Sequence, residues 1–318
     1  HRRGSRDMIK RRQILQLGGG LMALHSLGLD ATEQASTALP DALRPVTRPI
    51  PSSGELLPVI GMGTSRTFDT PADSDSLARL ATVMQAFFAG GGKVIDSSPM
   101  YGEAESRVGD ILRASDSRPA LFAATKVWTE GREEGIAQMK ESARRMHVDA
   151  FDLIAVHNLV DWKVQLDTLQ AWKSEGKVRY IGITTSHGRN HDELLQIMSS
   201  TALDFVQFSY NIEDRSAEQR LLPLARDRGI ATMINRPYQR GSLFGKSRSA
   251  PLPDVAKDLD VSSWAQFYLK FIVGHPATTC VIPATSSASH MQDNMKANVG
   301  PVPDESQRAE MLRVFQSL

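Results

Sequence analysis

One cysteine, Cys280, is all the chain has among its 318 residues, and it sits in the apolar run TTCVIPAT. No internal disulfide can form. Apolar surroundings raise a thiol pKa, which makes Cys280 a small core residue rather than a nucleophile. A charge excess of one sign is also missing. The 37 basic and 36 acidic side chains nearly cancel, so no bulk field draws the chain to nucleic acid or to an anionic membrane. No G-x-G-x-x-G follows an apolar strand: Gly18-Gly19-Gly20 lies near the N-terminus, and Gly61-Met62-Gly63 runs on into Thr64-Ser65-Arg66. A Rossmann-type dinucleotide site is therefore disfavoured. His187 and His191 form an i,i+4 pair, but without a zinc-protease glutamate or a third ligand, so no metal is expected.

What is present is enough apolar material for a sizeable core, 41% of residues. A length of ~250 residues is ordinary for a single α/β barrel. The N-terminal part reads differently from the rest. Residues 1–7, HRRGSRD, stand ahead of Met8 and read as an expression remnant. Residues 8–39 read as a signal-like segment and linker: basic Lys10-Arg11-Arg12, an apolar stretch from Ile14 to Leu29, then polar residues. The paired arginines resemble a twin-arginine export signal, and the apolar stretch is too short and glycine-rich for an ordinary membrane span. The expectation is an exported, periplasmic monomer with no stable membrane association once the leader is removed. The alternative is an amphipathic N-terminal helix in a cytoplasmic protein. Residues 30–52, rich in Ala, Thr, Ser and Pro, read as a linker, and residues 40–318 as one domain.

From Pro58 onward short apolar runs alternate with longer segments of helical periodicity. Eight strands are expected, over 59–64, 93–98, 121–127, 152–158, 178–185, 205–210, 230–237 and 278–285. Helices fit 75–89, 103–112, 131–146, 162–175, 189–199, 216–228, 262–274, 288–297 and 304–317. The strand spacing is that of βα units, and continuous apolar strands call for a sheet covered on both faces. A single (β/α)8 barrel, of the TIM type, matches the count; an open doubly wound sheet is the alternative.

Four residues then stand out. Asp96 and Tyr101 lie in the segment 94–109, which opens Val94-Ile95-Asp96-Ser97-Ser98 and continues through Tyr101-Gly102-Glu103 to Gly109. Lys126 lies in FAATKVW and His157 in DLIAVHN. Three fall at or just before strand C-termini, and Tyr101 lies in the loop after the second strand. That is the face where such barrels do chemistry. A carboxylate, a tyrosine, a lysine and a histidine there are the parts of a proton-donating site. A free phenol has a pKa of ~10, and a nearby ammonium favours its phenolate. Lys126 also admits a Schiff-base reading, as in a barrel aldolase.

These segments, with ELLPVIGMGT, GKVRYIGITT, VQFSYN and VIPATSSASHMQDN in order along residues 55–298, resemble the aldo-keto reductase family. The resemblance implies reduction of aldehyde or ketone carbonyls by NAD(P)H, with Tyr101 as general acid and Asp96, Lys126 and His157 beside it. It implies a cofactor lying across the barrel mouth, preferably NADPH, with NADH as the alternative. Gln207, Thr184 and Thr185 would hold the carboxamide, though Thr185 replaces a familiar asparagine and cannot copy both amide functions. Gly63 and Thr64 end the first strand beside it. Arg236 stands where the family stacks a tyrosine, with Tyr238 two residues on. Ser242 and Leu243 would meet the pyrophosphate. Thr285 and His290 would meet the 2′-phosphate and Asp293 and Asn294 the adenine, with Ala284 in place of a usual lysine. Trp128, Arg66 and Tyr238 would wall the substrate pocket. A nicotinamide-binding sensor with little turnover is the competing functional class.

Overall fold

The computed structural model describes residue 40, residues 43–115 and residues 120–318. The leader reading over residues 1–39 lies outside the described residues. The first strands differ from expectation. β1 (Thr47–Pro49) and β2 (Leu56–Pro58) form an antiparallel hairpin inside and just after the stretch read as a linker. Its composition is turn-like, yet Ile50 and Leu57 give it an apolar face, and both are fully buried.

Eight parallel strands follow: β3 (Met62–Gly63), β4 (Val94–Asp96), β5 (Phe122–Val127), β6 (Phe151–His157), β7 (Val178–Thr184), β8 (Phe205–Ser209), β9 (Ala231–Asn235) and β10 (Cys280–Val281). They are neighbours in strict chain order. The two edges then meet, because Ile60 bridges Val281 and Gly63 bridges Ala284. The sheet is a (β/α)8 barrel, and the open-sheet alternative is excluded. Its seam strands are shorter than the apolar runs that encode them. Val59 and Ile60 give their N–H groups to the Val46 carbonyl and to Asn298 Oδ1, and Pro283 has none to give, which trims both. Gly63 lies so close to the seam that a Cβ there would sit 2.9 Å from the Ile282 carbonyl oxygen.

The helices follow from the same periodicities. In Ser74–Ala89, Leu80, Val83, Met84 and Phe87 are buried, an i, i+3, i+4, i+7 stripe, and the Asp73 carboxylate caps the start by accepting from Ser76 N–H. The helix expected over 216–228 is two pieces, a 3-10 turn Ser216–Glu218 and an α-helix Leu221–Asp227. Arg220 between them leaves helical geometry, and Pro223 falls in the new first turn, where it is tolerated. Short helices Ser242–Ser247 and Val255–Asp258 occupy the connection after β9, which carried no helical period. Among the described residues, no helix is long and apolar enough to cross a membrane.

Two cores result. One lies between strands and helices. The other fills the barrel, where Val94, Phe122, Leu153, Tyr180, Phe205 and Ala231 cluster with Ile50 and Leu57 of the hairpin. All six come from the N-terminal parts of their strands, so the hairpin plugs that end. Arg48 fastens the plug by donating to the carbonyls of Val273, His275 and Thr278 at 2.8–3.0 Å. The opposite end, at the strand C-termini, carries the polar residues.

Asn298 holds the seam from outside. Its Oδ1 accepts from Ile60 N–H at 3.1 Å, its Nδ2 donates to the Gly90 carbonyl at 3.1 Å, and its carbonyl accepts from Val46 N–H at 2.8 Å. Asn298→Ala would leave the buried Ile60 N–H and the half-buried Gly90 carbonyl without that partner. The expected cost is about 2–4 kcal/mol, read as a lower urea midpoint with an unchanged slope.

Candidate active site

Asp96 ends β4, Lys126 is next to last in β5 and His157 ends β6. Parallel register brings these adjacent strand ends level. Lys126 and Asp96 are both buried, and Lys126 Nζ donates to Asp96 Oδ2 at 2.6 Å and to the Ser97 carbonyl at 2.8 Å. Burial alone pushes Lys126 down, but Asp96 and then Tyr101 outweigh it and hold the lysine above its ordinary value. Burial raises Asp96 while Lys126 opposes. The ammonium stays protonated, since it donates into two acceptors that have no other strong donor at that distance. A buried, charged, ion-paired lysine is no Schiff-base nucleophile, which removes the aldolase reading.

Tyr101 stands over this pair. Lys126 Nζ lies 5.0 Å from the Tyr101 ring centroid. The loop that carries Tyr101 is fixed by its neighbour: Gly102 has φ 57, and a Cβ there would collide with the Asp69 carboxylate. Asp69 Oδ1 in turn accepts from Glu103 N–H at 2.9 Å. This is the physical content of the Tyr-Gly-Glu sequence. The phenol does not behave as the sequence implied. Burial raises its pKa above the ordinary value, and Lys126 offsets only part of that rise. Tyr101 is therefore a fully protonated phenol at neutral pH, with a cation placed to receive its phenolate.

The imidazole of His157 meets the Tyr101 ring edge-on, with centroids 5.6 Å apart. Its Nδ1 lies 2.7 Å from Ser98 Oγ, and that Oγ already accepts from Met100 N–H at 3.1 Å. With the Ser98 hydroxyl donating to Nδ1, the ring keeps its own proton on Nε2. Burial, and then the charge of Lys126, push His157 down to about 3. The site thus presents two neutral donors, the Tyr101 O–H and the His157 Nε2–H. Ser98 does not stand out in the sequence, although it lies between Asp96 and Tyr101 in the same short segment.

Tyr101 and His157 line a cavity of ≈ 1020 Å³ with Gly63, Thr64, Arg66, Thr184, Thr185, Gln207, Arg236, Tyr238, Thr285, His290, Asp293 and Asn294. Lys126 lies beneath its floor. Trp128, Ser242 and Leu243 do not line it. Trp128 lies beside His157, with ring centroids 6.5 Å apart, and is 40% exposed. Ser242 begins a helix. The Leu243 side chain is buried in the core, and its N–H is already given to the Tyr238 carbonyl. Gly241, not these two, reaches the wall. Tyr238 also departs from its expected substrate-side place: its hydroxyl donates to Asn294 Oδ1 at 2.7 Å, toward the end where His290 and Asp293 lie.

Asn235, the last residue of β9, is a further site residue that the sequence pattern does not mark. Its amide donates to the Thr185 carbonyl at 3.0 Å and Gln207 Oε1 at 3.2 Å, and its oxygen accepts from Ser209 Oγ at 2.5 Å. It bridges three strand ends of the cavity floor. Thr185 Oγ1 and Arg236 Nε are buried there without a hydrogen-bond partner. Orphaned polar atoms in a cavity this large fit a bound dinucleotide, whose amide and phosphates would satisfy them. The ring of His187 is engaged on both nitrogens, by Ser186 Oγ and Arg236. Among the described residues, no group of three metal-ligating side chains occurs.

The model of the Aldo/keto reductase family matches residues 59–310. The chain belongs to that family, whose members are oxidoreductases that use NAD(P)H and act on small carbonyl substrates. Methylglyoxal reductase YeaE of Escherichia coli is 25% identical over 249 residues, covering 76% of this chain and 86% of that protein. The NADH-specific methylglyoxal reductase of the same organism is 27% identical over 244 residues, covering 66% and 72%. Among solved structures, an aldo/keto reductase from Klebsiella pneumoniae in complex with NADP and acetate superposes with a TM-score of 0.69 at 24% identity, covering 82% of this chain and 93% of that one.

The depressed pKa of His157 has a stability consequence. The folded ring resists protonation down to about 3, whereas the unfolded ring takes up its proton at ~6.5. Below that upper value the unfolded chain binds more protons, so this contribution to stability falls as pH drops and is fully present only above it. In ¹⁵N–¹H spectra of imidazole-labelled protein, His157 is expected to stay a neutral Nε2–H tautomer at pH 5. In Ser98→Ala the Nδ1–H form is expected to become populated. A protonated ring at pH 5, or an unchanged tautomer in the variant, would contradict the assignment.

Proposed function

We propose that the protein reduces the carbonyl of a small aldehyde or ketone, with Tyr101 as the general acid. The observation that carries this is the Asp96–Lys126–Tyr101–His157 assembly, in which two neutral donors share one mouth over a buried ammonium. The bound nicotinamide supplies the hydride. The chain's residues do the rest. His157 Nε2–H donates to the carbonyl oxygen and fixes its direction. As charge gathers on that oxygen, Tyr101 delivers its proton. The Lys126 ammonium stabilises the phenolate left behind, and Asp96 keeps that ammonium charged and in place. A raised phenol pKa suits this role, because the proton stays on the acid until the alkoxide, a much stronger base, draws it off.

For the cofactor, Gln207, Asn235, Thr184 and Thr185 are the residues placed to hold the carboxamide, and Thr185 Oγ1 has a free bond to offer. Arg236, just after β9, has its Nε free for a phosphate of the cofactor, and Tyr238 is drawn away to Asn294. At the far end, Ser287 caps the helix Ala288–Met295, with Thr285 and His290 beside it. That end favours NADPH, because a helix start and a hydroxyl receive a phosphate. Ala284 in place of a lysine narrows the preference.

Tyr101→Phe is the direct test. Carbonyl reduction should fall by about 10²–10⁴-fold, with NADPH still bound at the wild-type dissociation constant in a fluorescence titration. Near wild-type turnover would sink the acid assignment. In the same titrations wild-type protein should bind NADPH more tightly than NADH, and NADH tighter by about tenfold would reverse the cofactor preference.

A further inference from the structure

Four arginines converge on the cavity mouth: Arg66 from the loop after β3, Arg189 from the loop after β7, and Arg236 and Arg240 from the loop after β9. They feel one another. Arg66 and Arg189 each act on both Arg236 and Arg240, and all four, after burial, hold His187 down to about 4. His187 is thus neutral and meets Arg236 through Nε2 at 2.7 Å. Among the described residues, none of Arg66, Arg189 and Arg240 has an ion-pair partner, and Arg236 bonds only neutral groups, His187 and Gln239.

The carboxylates of the cavity are engaged elsewhere. Asp96 holds Lys126, Asp293 accepts from Ser263 and Gln266, and Asp69 accepts from Glu103 N–H. Asp214, which acts on Arg236, is outside the cavity wall and accepts from Ser216. Arg66, Arg236 and Arg240 also have left-handed backbones, at φ 66, 53 and 56. Non-glycine residues seldom adopt that conformation, and it gathers at ligand sites. The mouth is built with like charges facing one another and no internal anion between them.

A dinucleotide's pyrophosphate brings about two negative charges, so four arginines leave an excess of about two. Position decides which arginines supply the excess. Gly63 of β3 is in register with Asp96, and Thr184 of β7 is in register with His157. The loops that carry Arg66 and Arg189 therefore flank the catalytic strands. Arg236 and Arg240 share a loop with Tyr238, which points to Asn294 and the adenosine end. We propose that the carbonyl substrate carries a carboxylate, and that Arg66 and Arg189 receive it while Tyr101 and His157 act on its carbonyl. Guanidinium forks suit a carboxylate, which they bind with two parallel bonds. This inference rests on the reductase reading and names the substrate class for the same site.

The test uses a matched pair, 4-carboxybenzaldehyde and the similarly shaped but neutral 4-nitrobenzaldehyde, with NADPH. The ratio of their kcat/KM values is measured for wild type, Arg66→Gln and Arg189→Gln; comparing ratios cancels the intrinsic reactivity of each aldehyde. Each variant should lower the carboxylate-to-nitro ratio by about tenfold, with NADPH affinity unchanged in Arg189→Gln. An unchanged ratio with NADPH bound about tenfold more weakly would assign the arginines to the pyrophosphate and overturn the proposal. Should wild type reduce neither aldehyde, the reductase reading is what fails. Calorimetry of 4-(hydroxymethyl)benzoate binding to protein saturated with NADP⁺ then decides this one. Binding lost in Arg189→Gln supports a carboxylate seat, and no binding to wild type removes it.

Discussion

A lysine and an aspartate buried side by side at the mouth of a barrel set the terms for everything around them. Neither Lys126 nor Asp96 can be removed alone, since the survivor would be an uncompensated charge in a dry site, a loss of about 3–5 kcal/mol. Together they are fixed by neighbouring strands: Asp96 by β4, Lys126 by β5, and the Ser97 carbonyl as the second acceptor. That rigidity gives the ammonium a constant position beneath Tyr101. The same positive charge adds to burial in keeping His157 neutral. Burial is the larger cause at both groups that would meet a carbonyl oxygen; the lysine adds to it at His157 and opposes it at Tyr101.

The barrel supplies the rest by geometry. A hairpin and an aromatic trio of Phe122, Tyr180 and Phe205, with centroids 5.8–6.0 Å apart, fill the N-terminal end. Polar residues then occupy the other end, where strand termini release side chains into the cavity. Hydrogen bonds between strand ends lock them there: Ser98 to His157, Asn235 to Thr185 and Gln207, Thr64 to Ser97. The arginines above this mouth give the chain a local charge that its near-zero net balance conceals.

The eight strands were legible because each is a continuous apolar run, the pattern of a sheet covered on both faces. The four central residues were legible because they recur at consecutive strand ends. The hairpin was not, since three-residue strands rich in proline and serine neighbours look like a linker until Ile50 and Leu57 find the barrel floor. Ser98 and Asn235 escaped notice for another reason. A serine or asparagine acquires its role only from the partner that folding places beside it, and those partners lie 59 and 26–50 residues away. The phenol of Tyr101 shows a third limit. Spacing put a cation near it and implied a lowered pKa, but spacing carries no measure of burial, which dominates.

The central claim is that Tyr101 is a protonated acid whose phenolate is stabilised by Lys126. It is tested most directly by titrating protein labelled with ¹³Cζ-tyrosine, in wild type and in the double variant Asp96→Asn/Lys126→Met, which removes the ion pair together. In wild type the Tyr101 resonance should titrate above the ordinary phenol range, and in the double variant its titration should move higher still. A Tyr101 phenolate at neutral pH, or a titration that ignores the loss of Lys126, would contradict the account.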